Sequence, residues 1–174
     1  MGWTFTSDPA VYQAAVQHVL ERDPVRNTVA LTVLDAISHG QRFGEEPCTL
    51  GWFTDPAGEV TGAVSQTPPY GLLLTQVPGG TEGSLVAELR RRRVSVPDVT
   101  GERALAWRFG QLWGSHTELI MAQRLFELDR LNQPDPAPAG NPTPATAADV
   151  GLIMHWLEGF RAESEPRAGG TPRS

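Results

Sequence analysis

"GLLLTQVPGGTEG", Gly71 to Gly83, is the stretch whose reading decides the fold. Its first half, Leu72 to Leu74, has no polar face, and a strand that is apolar on both sides needs cover on both sides. Pro78, Gly79 and Gly80 then break the strand, and from Thr81 the pattern is helical, with Leu85, Val86 and Leu89 on one side. A buried strand that passes through a tight turn into a helix is an α/β element. The turn is either a place for a phosphate or only a turn.

Upstream, the short apolar start Trp3 to Phe5 precedes Ser7 or Asp8, either of which can cap a helix whose first turn holds Pro9. Val11, Tyr12, Ala15, Val16, Val19 and Leu20 form its stripe. Asp23 and Pro24 repeat the device, and Val25, Val29, Val33, Ala36 and Ile37 mark a second helix stopped by Gly40. Cys48 to Thr54 and Glu59 to Thr67 are strand-like, with the "DPAG" turn of Asp55 to Gly58 between them. Pro68 and Pro69 end the second of these strands.

Downstream, the helix from Thr81 ends in the run Arg90 to Arg93, which suits a helix C-terminus and otherwise would meet a phosphate or an acidic patch. "SVPDVTG" is a weak strand and turn. Leu105, Phe109, Leu112 and Trp113 have helical spacing, and "TELIMAQRLFEL", Thr117 to Leu128, reads as a long strand. A domain of residues 1–131 is therefore expected, followed by a proline-rich semi-rigid linker, 132–145. Thr146 and Asp149 start a further helix over 146–163, with Val150, Ile153, Met154, Leu157 and Phe160 at helical spacing, and 164–174 is expected to be disordered.

Composition removes several chemistries. All 14 basic residues are arginine, which excludes a Walker-type phosphate lysine, a Schiff-base lysine and a lysine nucleophile. The formal net charge of -6 argues against nucleic acid as the main ligand. The single Cys48 fits a reducing, cytoplasmic setting, no Cys/His spacing suggests a metal, and no apolar segment is long enough to span a bilayer. His18, His39, His116 and His155 lack partners at triad or ligand spacing, and Ser65, Ser84 and Ser115 lack a nucleophile-elbow context. The five tryptophans read as packing residues.

The order strand, two helices, hairpin, central strand, helix, weak strand, helix, long strand resembles the GNAT N-acetyltransferase fold, a mixed α/β sheet in three α/β/α layers. In that family the turn after the fourth strand follows Q/R-x-x-G-x-G/A and receives the pyrophosphate of acetyl-CoA. "QVPGGT" lines up with it: Gln76 and Gly79 match, Gly80 fills the x, Thr81 stands where Gly or Ala belongs, and Pro78 removes a backbone donor. With "RDPVRNTV", "QTPPY" and "QRLFEL", the chain is similar to the N-terminal half of tandem actinobacterial proteins described as GNAT family N-acetyltransferases.

The resemblance implies an acetyl-CoA-dependent transfer to an amine, either a small molecule or a protein N-terminus. Gln76, Val77, Gly79, Gly80 and Thr81 would bind the co-substrate, and Tyr70, in "TPPYG", would line the acceptor pocket. No catalytic residue carries over, because Tyr12 and Tyr70 are the only tyrosines and neither lies between Glu102 and Ile120. The resemblance further implies that the final helix opens a second, incomplete GNAT domain, supplied otherwise by a missing C-terminal half or a homodimer. The isolated chain is expected to be weak or inactive, with a non-catalytic scaffold or an acyl-CoA sensor as alternatives. No nucleic acid and no membrane partner are expected.

Overall fold

The computed structural model describes residues 1–114, 116–137 and 139–164; Ser115, Pro138 in the linker and the expected disordered tail from residue 165 lie outside them. The chain divides into one unit ending at Glu118 and another beginning at Leu119, where the sequence places the change near Leu131. Within the first unit Asp8 accepts a hydrogen bond from the Ala10 amide, Pro9 follows, and α1 runs over Pro9–Leu20. Tyr12, Val16, Val19 and Leu20 are its buried face, while Val11 is exposed.

The second helix, α2, spans Thr28–Ser38, four residues later than the Asp23-Pro24 pair suggests. Asp23 serves a tight turn instead: its Oδ1 accepts from the Arg26 amide and its carbonyl from the Asn27 amide. The buried stripe is accordingly Ala30, Leu34 and Ile37, and Val29 lies 56% exposed. The stop is as expected. Gly40 takes φ 84°, and the Gln41 amide reaches back to the Ala36 carbonyl.

Five strands form one sheet in chain order: β1 (Gly2–Thr6), β2 (Thr49–Thr54), β3 (Val60–Gln66), β4 (Leu72–Gln76) and β5 (Val99–Gly101). The first four pair antiparallel, and β4 pairs parallel to β5. The β2–β3 turn is the expected one, with Asp55 Oδ1 accepting from the Ala57 and Glu59 amides. A parallel pair needs a crossover, and α3 (Glu82–Arg91) supplies it.

The fold is thus mixed α/β in three layers. On one face Tyr12, Val16, Leu20, Leu34 and Ile37 pack on Leu50 and Ala63, with Leu73 against them. On the other, Leu85, Val86 and Leu89 of α3 and Leu105 and Phe109 of α4 (Arg103–Trp113) pack on Val64, Leu72 and Leu74. The three leucines of β4 therefore divide between two cores, as a doubly covered strand requires. Gly101 lies against Leu74 so closely that a Cβ there would sit 2.9 Å from the Leu74 carbonyl oxygen. Trp107 departs from the packing role read for the tryptophans, because it lies on the outward face of α4, opposite Leu105 and Phe109.

The expected long strand over Thr117 to Leu128, which crosses the boundary between the units, does not form: residues 116–134 carry no helix or strand. An apolar run makes a strand only when a neighbouring strand takes up the backbone N–H and C=O groups. No such pairing exists among the described residues, and Phe126 is 81% exposed. The final helix does form. Thr146 donates from its amide and hydroxyl to Asp149 Oδ2, a short 3₁₀ turn follows over Ala147–Asp149, and α5 runs from Val150 to Ser164. Val150, Met154, Leu157 and Phe160 are exposed.

These contrasts give a stability prediction. Leu74→Ala should cost about 2–5 kcal/mol, the range for emptying a buried leucine site, whereas Phe126→Ser should change stability by less than about 0.5 kcal/mol. Urea unfolding of both variants checks this. A large loss in Phe126→Ser would show that the 117–128 segment is packed after all.

Candidate functional site

The carboxyl end of β4 opens on a cleft of about 230 Å³. Thr75, Gln76, Val77 and Pro78 form one wall, Thr61 of β3 lies beside them, and Glu102, Leu105 and Arg108 line the side of α4. Arg26 enters from the α1–α2 connection. The α4 helix starts here because Glu102 caps it, accepting from the Ala104 and Leu105 amides. Those amides, Ala104 first, and the charges of Arg108 and Arg26 hold Glu102 below the usual carboxylate range, against a smaller effect of burial.

The Pro78-Gly79-Gly80 turn closes on itself. The Thr81 amide donates to the Pro78 carbonyl at 3.0 Å and its hydroxyl donates to the same oxygen at 2.7 Å. Gly80 at φ 82° is the position where glycine is required, since a side chain there would be strained although nothing crowds it. Gly79 likewise has open space around it.

The next residue decides what the turn can hold. Glu82 is only 7% exposed; its carboxylate accepts from Arg108 Nε at 3.0 Å and feels the Gly80 and Glu82 backbone N–H groups beside it. Burial, the largest single influence, pushes the carboxyl up; the amide and guanidinium hydrogen bonds together outweigh it, and Glu82 is held below its ordinary value. Of the four amides from Gly79 to Glu82, that of Thr81 is spent on the Pro78 carbonyl, and those of Gly80 and Glu82 lie beside the Glu82 carboxylate. Pro78 has none to offer.

The other candidate residues lie elsewhere or are engaged. Gln76 and Val77 line the cleft, but Tyr70 lies beyond the amino end of β4, 61% exposed and edge-on to Phe43 at 5.9 Å. Tyr70 and Gln76 are six residues apart on an extended strand, roughly 20 Å, so they do not share a site. Tyr12 is buried in α1, where burial pushes its hydroxyl up and a hydrogen bond with the Ser65 side chain opposes this. Ser84 donates to the Thr81 carbonyl, and all four histidines are exposed. Burial pushes the Cys48 thiol up, against its own backbone hydrogen bond and the charge of Arg42.

The arginine run has internal partners. Arg90 donates from Nη2 to the Trp113 carbonyl and lies 5.4 Å over its indole, and Arg92 lies 4.9 Å over the Phe5 ring. Arg91 and Arg92 both bind Glu88 and hold its carboxyl down to about 2. No group of three or more His, Cys, Asp or Glu side chains is placed to hold a metal among the described residues, and no helix among them is long and apolar enough to cross a membrane.

Sequence reading missed Glu82, Glu102, Arg26 and Arg108. An acidic residue at or just before the first position of a helix is a legible signal for two of them, Glu82 and Glu102, because carboxylates favour helix N-termini. Nothing local marks the arginines. Compared with protein-family models, curated proteins and solved structures, the chain finds no match.

Glu82→Gln should lower stability by about 1–3 kcal/mol at neutral pH, the range for hydrogen bonds to a charged group. Because the folded carboxyl is depressed, its contribution is full above the unfolded pKa of about 4.3 and is lost as pH falls through the lower folded value. The difference between the native chain and the variant should therefore close in acid. Denaturant unfolding across this range checks it; a constant difference contradicts it.

Proposed function

We propose that the chain is a non-catalytic α/β module of GNAT type, whose turn after β4 stabilises the domain rather than binding acetyl-CoA. The observation that carries this is Glu82: its buried carboxylate, paired with Arg108 Nε at 3.0 Å, already sets a negative charge at the first residue of α3, where an incoming phosphate would need to sit. Neither tyrosine lies in the cleft as an acid. The exposed apolar residues of α5, among them Trp156 and Phe160, support a role in association, with a second copy or a further domain as partner. The lone Cys48 fits a cytoplasmic setting.

A second reading, acetyl-CoA-dependent N-acetylation of a small amine or protein N-terminus, is favoured by the cleft at the end of the parallel β4–β5 pair. Under it Gln76, Val77, Gly79, Gly80 and Thr81 would face the co-substrate, and Glu82 would have to leave. Acetyl-CoA titration by calorimetry separates the two. The module gives no saturable heat up to millimolar ligand; saturable heat, with CoA released on adding amines, would establish the second reading instead.

A further inference from the structure

The cleft at the carboxyl end of β4 carries donors that the chain does not use. Its carboxylates are already engaged as acceptors, Glu102 by the Ala104 and Leu105 amides and Glu82 by Arg108. Arg26 forms no ion pair within 4.0 Å among the described residues, although Glu102 feels its charge. Arg108 meets Glu82 through Nε, leaving its Nη nitrogens for another acceptor.

The floor of the cleft adds a hydroxyl. Thr75 Oγ1 is buried with no hydrogen-bond partner, so turning it towards a bound oxygen breaks nothing. Val77 on the β4 wall and Leu105 on the α4 side add apolar surface to the cleft. What is lacking is an acceptor with a small apolar part.

We propose that this cleft binds a small monocarboxylate, such as acetate or propionate, with Arg26 as its main cation. Charge disfavours a dianion: Arg108 is paired with Glu82 and Glu102 stands near Arg26, so a second negative charge on the ligand would meet no further cation. Size selects a short ligand, because about 230 Å³ is less than the roughly 300–1,000 Å³ of drug-sized sites. A planar carboxylate also matches the fork of a guanidinium, which a sphere of charge does not. The inference goes beyond the module reading and does not depend on it.

Two-dimensional amide NMR of the whole chain, titrated with sodium acetate and propionate, tests this. Saturable shifts at Thr75, Gln76 and Val77 are expected, with acetamide, the neutral isostere, giving none. Arg26→Gln, an exposed substitution, should weaken binding by about tenfold or more, and Thr75→Val should weaken it less, with both spectra otherwise folded. Absence of saturation, equal binding of acetamide, tighter binding of inorganic phosphate, or full affinity in Arg26→Gln would each overturn the proposal. Because acetyl-CoA is titrated separately, failure here leaves the reading of the turn untouched.

Discussion

Leu72, Leu73 and Leu74 have no polar side to turn to water, so β4 has to be covered on both faces, and the remaining architecture follows from that. The α1–α2 layer takes Leu73, and α3 and α4 take Leu72 and Leu74. Parallel pairing of β4 with β5 then obliges the chain to cross over through a helix. The turn from Val77 to Thr81 is therefore fixed at the carboxyl end of an interior strand, with a helix N-terminus directly behind it. Position makes it an anion site before any ligand is considered.

The anion in that position is the protein's own. A tethered carboxylate competes for the amides at a high effective concentration, and Glu82 is further held by Arg108 from α4. The contact links the turn to the second helix on the same face, so one interaction both satisfies a helix start and ties two elements together. An external phosphate would have to displace Glu82 and leave it buried without its donors, which is unfavourable. The cleft beside the turn is a different matter, since Arg26 is in no ion pair among the described residues and Arg108 keeps its Nη donors.

The sequence made legible those features whose cause is local. Asp8 before Pro9, Gly40, the Asp55–Gly58 turn, the Thr146–Asp149 pair and the apolar run of β4 each carry their own structural reason within a few residues. The start of α2 was misread because an aspartate before proline serves a turn as well as a helix cap, and only packing puts Asn27, Ala30, Leu34 and Ile37 inward. Thr117 to Leu128 is apolar enough to read as a strand, but pairing is a property of two strands and cannot be seen in one. The site was half visible: Gln76 and Val77 follow from β4, while Arg26 and Arg108 arrive from segments far apart in sequence. In sequence Glu82 is an ordinary first-turn acid. Its burial and its guanidinium partner, 26 residues away, come only from the fold.

The account rests on the Glu82 carboxylate standing ionised beside the turn amides and paired with Arg108, and carbon-detected NMR titration of that carboxyl, read together with the Gly80 amide proton, tests it most directly. The expected result is a midpoint below the ordinary glutamate value of about 4.3, with the Gly80 amide moving at the same pH. A midpoint at or above that value, with the Gly80 amide unmoved, would contradict it and return the turn to an open anion site.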